Sequence, residues 1–133
     1  MSLYVIDASA ATEYLLRTPL GLKLADVIAD AGLAAPELLY VEVLSVIRRA
    51  VLRRQLTDQR ALLAIEDLMD WPIDRISHKA LLWAAWQHRN KVSAYDAFYV
   101  AAARLAGAPL ITADGPLARA PSLGIEIENI RLL

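Results

Sequence analysis

Near each end of the chain a short apolar run stops at an aspartate. Leu3-Tyr4-Val5-Ile6 halts at Asp7, and Leu110-Ile111-Thr112 leads to Asp114. Runs of three or four residues rich in β-branched and aromatic side chains read as strands, and are too short for helices. A strand that is apolar on both faces must be covered on both faces, which is the condition of a parallel sheet held between helices. Leu33 to Ala35 and Ile73 to Ile76 are two further candidates. Ile125, Ile127 and Ile130, set between Glu126 and Glu128, suggest a last strand with one wet side.

Helical spacing fills the intervals. It is read from about Ser9 to Leu16, from Leu22 to Ala31, from Leu38 to Val51, from the Thr57-Asp58 cap through Met69, from Ser77 to His88, and from Ser93 to the stop at Gly107. Pro19 and Gly21 are expected to break the chain, Pro36 to open a helix and Gly115-Pro116 to make a turn. The helix over 38–51 carries apolar residues around much of its circumference and is expected to be mostly buried. Alternating strands and helices give an α/β fold of three layers, α/β/α, with a mainly parallel central sheet of four or five strands. The 133 residues are expected to form a single domain, with no linker, repeat or low-complexity tract.

Fourteen Lys and Arg against fifteen Asp and Glu give a net charge of −1, so the chain lacks the basic footprint of a general nucleic-acid coat. Contact with nucleic acid would have to be local. Arg48, Arg49, Arg53 and Arg54 cluster on one helix and suit either phosphates or a solvated face. With no cysteine there is no disulfide or thiolate zinc site, which agrees with a cytoplasmic setting. The segment from Met1 to Leu16 lacks a basic leader and carries Asp7 and Glu13, so it reads as part of the fold and not as a secretory signal. No apolar run approaches the roughly 20 residues of a membrane span. An apolar content of 57% leaves enough for a full core and for an apolar patch used by a partner.

Four carboxylates stand out. Asp7 and Asp114 fall just past strand ends, where ligands bind in open parallel sheets; each also suits a local role, as helix cap and as turn residue. Glu42 has Leu38, Leu39, Ser45 and Val46 as its helical neighbours and no nearby cation. Asp96 opens an apolar helix three residues after Ser93, in a capping-box pattern. Several acids at one site repel one another unless a cation neutralises them, and oxygen donors without Cys or His favour Mg²⁺ or Mn²⁺. Ser9 and Thr112 lie two residues from Asp7 and Asp114 and could orient a carboxylate or a phosphate. His78 and His88 are single and far apart, and read as ordinary helix residues.

Val5-Ile6-Asp7-Ala8-Ser9-Ala10, the stretch from Pro36 through Glu42 to Arg48-Arg49, Ala94-Tyr95-Asp96-Ala97-Phe98-Tyr99 and Thr112-Ala113-Asp114 together resemble the PIN-domain nucleases, and among them the VapC-type toxins of type II toxin–antitoxin pairs. The resemblance spans almost the whole chain. It implies an endoribonuclease that hydrolyses RNA phosphodiesters, with Asp7, Glu42, Asp96 and Asp114 as catalytic residues holding Mg²⁺ or Mn²⁺ and with Ser9 and Thr112 in support. It also implies a homodimer silenced by a small antitoxin whose tail enters an apolar groove among the early helices. Many relatives place an asparagine where Ser45 stands, and some place a further acid where Gly115 and Pro116 stand, departures that weaken the case for a second metal. A catalytically silent protein-binding module of the same fold is the alternative. A phosphatase-like hydrolase using Asp7 as nucleophile lacks the second aspartate two residues on, where Ser9 stands.

Overall fold

The computed structural model describes residues 2–133; Met1, the first residue of the segment weighed above as a leader, lies outside them. Five strands, β1 (Leu3–Ile6), β2 (Gly32–Pro36), β3 (Asp74–Ile76), β4 (Leu110–Thr112) and β5 (Ile127–Asn129), form one sheet in the order β3-β2-β1-β4-β5. Every neighbouring pair is parallel. The chain runs outward from β1 to β3 and then returns to lay β4 on the other side of β1, so the strand order reverses between β1 and β4. That reversal opens a crevice at the carboxyl ends of the two strands.

The connections are α1 (Ala8–Leu15), α2 (Pro19–Ile28), α3 (Leu38–Leu52), α4 (Asp58–Asp70), α5 (His78–Trp86), α6 (Ala94–Ala106) and a single turn, α7 (Gly115–Ala118), with a final 3₁₀ turn at Ile130–Leu132. Helices α1 to α4 pack on one another, while α5 pairs with α6 and α6 lies against β1 and β2. Right-handed crossovers that change direction at β3 account for this split into two layers. Helix α6 is buried around most of its circumference, with Ala97, Tyr99, Val100, Ala101, Ala102 and Ala103 all buried, four of the six being alanine. These small side chains let the helix sit close on the strands. Its end is set by Gly107, whose φ of 61° is a left-handed cap favouring glycine.

The structure corrects several local expectations. Pro19 starts α2 instead of breaking the chain: it stands in the first turn, where a missing N–H costs nothing, and Thr18 caps the end by accepting from Gly21 N–H at 3.1 Å. Gly21 lies inside α2 because a Cβ there would sit 2.0 Å from the carbonyl oxygen of Glu13. Gly115-Pro116 likewise begins α7, and Pro36 ends β2. Helix α3 is not mostly buried. Only Leu39, Val43 and Ile47 are fully buried, a stripe at four-residue spacing, while Leu38, Tyr40 and Val51 pack partly buried against the core and Val41, Leu44 and Leu52 are exposed. The helix expected to reach His88 stops at Trp86. β5 is half-buried along its length, as an edge strand, without a clean wet side. His78, at the start of α5, is more than an ordinary helix residue, since its Nε2 accepts the Leu38 N–H at 2.8 Å and so serves the first turn of α3.

Candidate functional site

Asp7 leaves β1 and caps α1, so the first free N–H groups of that helix determine where its carboxylate points. Oδ1 accepts Ala10 N–H at 3.0 Å and the Ser9 hydroxyl at 2.7 Å. Oδ2 accepts the Thr112 hydroxyl at 2.5 Å from the end of β4. The same hydroxyls fasten the neighbouring strand end: Thr112 Oγ1 accepts Asp114 N–H at 2.9 Å, and Ser9 Oγ accepts Ala113 N–H at 2.9 Å. Ser9 and Thr112 therefore orient Asp7 as their spacing suggests. Asp7 is also the cap of α1, as the local reading expects.

Asp7 is 5% exposed. Burial pushes its carboxyl up, the hydrogen bonds from Thr112, Ala10 and Ser9 oppose this, and the charge of Asp96 adds to it, for a pKa of about 6. The three donors occupy both lone pairs of Oδ1 and one of Oδ2. One lone pair on Oδ2 remains for a ligand.

Glu42 extends from the second turn of α3. The partner that the local sequence lacks comes from α6, where Tyr99 donates its hydroxyl to Glu42 Oε1 at 2.6 Å. Tyr99 is 1% exposed, and burial together with the hydrogen bond to Glu42 and its charge drives the phenol well above the ordinary tyrosine range. It is a fixed donor at any working pH. Sequence reasoning passed over this residue because it lies in an apolar run; the available signal was its position three residues after Asp96, on the same face of the helix.

Asp96 stands in the first turn of α6. Ser93 Oγ accepts Asp96 N–H at 3.1 Å, and a hydrogen bond between the Ser93 side chain and the Asp96 carboxyl opposes the upward shift of its pKa. Burial raises its pKa, and the charges of Asp114 and Glu42 raise it further. Asp114 caps α7 through a longer contact, Oδ1 accepting Leu117 N–H at 3.3 Å.

Asp7, Glu42, Asp96 and Asp114 line one cavity of about 290 Å³ together with Ser9, Ser45 and Tyr99, and Arg49 is the only cation among its lining residues. Thr112 stands behind Asp7. Neither histidine lines the cavity. A larger hollow, about 500 Å³, lies elsewhere, between α1–α2 and the end of α4, where Tyr14 stacks on Trp71 with ring centroids 4.5 Å apart.

Among the described residues no three His, Cys, Asp or Glu side chains form a preassembled metal-ligand group. Each of the four acids keeps at least one carboxylate lone pair free, and the donor set is all oxygen, which suits a hard divalent cation and no soft one. Such a site can hold an anion's phosphate only with a cation between them.

A parallel α/β fold with a carboxylate cavity at its strand-order reversal describes a class of acidic hydrolase sites. Within that class the chain belongs to the PIN-domain family: the PIN domain matches residues 4–123. The chain is similar to Ribonuclease VapC12 of Mycobacterium tuberculosis, 37% identical over 126 residues covering 95% of this chain and 98% of that protein. The fold is similar to VapBC2 from Rickettsia felis, bound to a DNA fragment from its promoter, with a TM-score of 0.68 at 12% identity, over 96% of this chain and 98% of the other. It is also similar to Mycobacterium tuberculosis VapC20, a sarcin-ricin loop cleaving toxin, with a TM-score of 0.64 at 15% identity, over 86% and 92% of the two chains.

Proposed function

We propose that this chain is a metal-dependent endoribonuclease, the toxin of a type II toxin–antitoxin pair, working in the cytoplasm. The observation that carries the proposal is the convergence of Asp7, Glu42, Asp96 and Asp114 on one cavity at the β1/β4 reversal in a chain 37% identical to a VapC ribonuclease. Asp7 through Oδ2, Asp96 and Glu42 would be the leading ligands of Mg²⁺ or Mn²⁺, with Asp114 acting directly or through water. The bound metal would supply Lewis-acid polarisation of the scissile phosphate and of the attacking water.

The protein's own part is positional. Ser9 and Thr112 fix Asp7, and Tyr99 fixes Glu42, so two carboxylates keep their aim before any ligand arrives. Asp96 and Asp114 are half-buried and would have the freedom to adjust to a cation.

Two partners follow from the same reading. The hollow beside Tyr14 and Trp71 is the apolar groove that would receive an antitoxin tail. Trp83 and Trp86 on α5, 81% and 58% exposed, form the patch on which a second copy would pack. Among the described residues no helix is long and apolar enough to cross a membrane.

The test is cleavage of RNA by the partner-free protein with Mg²⁺ or Mn²⁺, with Asp7→Asn and Asp96→Asn as controls. Loss of cutting in both variants with the fold retained is expected; unchanged cutting in both sinks the site assignment. No cutting by the parent under any metal, with no metal binding by calorimetry, returns the chain to the silent binding module.

A further inference from the structure

The acidic cavity contains one cation, and it is unpaired. Arg49 lines the cavity with the four carboxylates, yet among the described residues the only ion pair is Arg17 with Asp67, beside the larger hollow. An arginine that merely offset the cluster would be expected to dock on one of its acids. Arg49 is exposed and makes no such contact.

Its place on α3 gives it a direction. At about 100° per residue, Glu42, Val46, Arg49 and Arg53 fall within roughly 60° of one another, on one stripe along the helix. With a rise of about 1.5 Å per residue, Arg49 lies about 10 Å and Arg53 about 16 Å beyond Glu42 along the axis. Arg53 follows the last residue of the helix and is also exposed. Arg48, next to Arg49 in sequence, points about 100° away from it. Of the four arginines, Arg49 and Arg53 continue the line of the site, Arg48 does not, and Arg54, past the end of the helix with φ of 58°, is off its register.

A phosphodiester placed among four carboxylates faces repulsion at the scissile phosphate and at the phosphates on either side of it. A divalent cation relieves the first. It leaves the flanking phosphates to be met by the protein.

We infer that Arg49, continued by Arg53, is a phosphate-binding track that guides the single-stranded RNA away from the acidic cavity along α3. The inference rests on the nuclease reading and adds a substrate path to it. Arg49 positions the strand and leaves bond breaking to the acids. The guanidinium would hold a flanking phosphate by paired N–H donors, a geometry that lysine reproduces in charge alone.

Each phosphate contact on a single strand contributes a slope of about 0.7 to the fall of log K with log salt. Binding of a fluorescent single-stranded oligoribonucleotide is measured by anisotropy at several monovalent-salt concentrations, with a fixed concentration of Ca²⁺ in place of Mg²⁺ or Mn²⁺ so that a cation offsets the acids, and with the oligonucleotide checked to be uncut at the end of each titration. Arg49→Ala is expected to lower the salt slope by about 0.7 and to weaken binding about five-fold at 0.1 M salt, the same 0.7 read over one decade below 1 M. Arg48→Ala removes the same charge from the same helix and is expected to leave the slope unchanged. Arg49→Lys restores most of the slope. In the Mn²⁺-supported reaction Arg49→Ala raises KM with kcat nearly intact, and Mn²⁺ affinity by calorimetry does not fall.

Equal effects of Arg48→Ala and Arg49→Ala overturn the inference, since net charge alone would then explain binding. So does an Arg49→Ala protein that binds RNA normally but loses a purified antitoxin. A parent protein that neither binds nor cuts RNA overturns the nuclease reading itself, and with it the track.

Discussion

Replacing Asp7 with asparagine should make the protein more stable while destroying its chemistry. Asp7 is buried at the β1/β4 junction, and its pKa rises from 3.8 to about 6. That difference corresponds to about 3 kcal/mol of cost for keeping the carboxylate ionised in the folded protein. The sign follows from proton counting. Between about pH 6 and pH 4 the folded state holds more protons than the unfolded one, so the cost is fully present above pH 6 and disappears as the pH falls toward 4. Asparagine carries no charge at any of these values. Its amide would, however, face Thr112 Oγ1, which must turn from donor to acceptor while already accepting Asp114 N–H. A disturbed hydrogen bond of this kind costs about 1 kcal/mol. The net gain is about 2 kcal/mol at pH 8, or roughly 8 °C in melting temperature for a domain of this size. Urea unfolding of parent and Asp7→Asn in EDTA at pH 8, 6 and 4.5 reads it directly: the variant leads at pH 8 and the curves converge or cross by pH 4.5. Adding Mn²⁺ at pH 8 should close the gap by stabilising the parent alone. A variant less stable than the parent at pH 8, or a difference that ignores pH, would refute the reasoning.

Tyr99→Phe keeps the ring and removes the donor to Glu42; Mn²⁺ affinity and cleavage should each fall about 10- to 100-fold, as for other supports of metal ligands, with only a small change in the urea midpoint. Mn²⁺ binding at pH 6 should release protons, because Asp7 is about half protonated there and the Asp96 pKa is also raised; calorimetry in two buffers of different ionisation enthalpy should show less release at pH 8. Gly21→Ala should cost several kcal/mol or prevent folding, since its Cβ would fall within 2.0 Å of backbone in α1, whereas Gly107→Ala, with open space around it and φ of 61°, should cost about 1–2 kcal/mol by chemical denaturation.

The sheet was legible where chemistry changes abruptly along the chain. Val5-Ile6-Asp7 and Ile111-Thr112 followed by Asp114 mark strand ends because an apolar run cannot continue through a charge, and the two ends then define the crevice. Glu42 was legible by what it lacked, a cation within one helical turn. Its actual partner was hidden, because a tyrosine in an apolar stretch looks like core until the opposite helix is in place. Pro19 and Pro116 misled for a common reason: proline breaks a helix in its interior but opens one at its first turn, and only Thr18 and Asp114 before them reveal which applies. The exposure of Val41, Leu44 and Leu52 depends on which side of α3 the sheet occupies. Periodicity gives a stripe and cannot tell how wide a neighbour covers it. The role of His78 was out of reach for the same reason, since it serves a helix forty residues earlier in the chain.

The hydrogen bond from Tyr99 to Glu42 has a mechanical side. Helix α6 carries Asp96 and, one turn later, the hydroxyl that holds a carboxylate on α3. Sliding α6 along its axis would therefore displace one carboxylate and release another in a single movement. The alanines beneath it act as the bearing surface that fixes this position, so a bulkier side chain at Ala101 or Ala102, more than a turn away from Asp96 and touching nothing in the cavity, would be felt there as a loss of alignment.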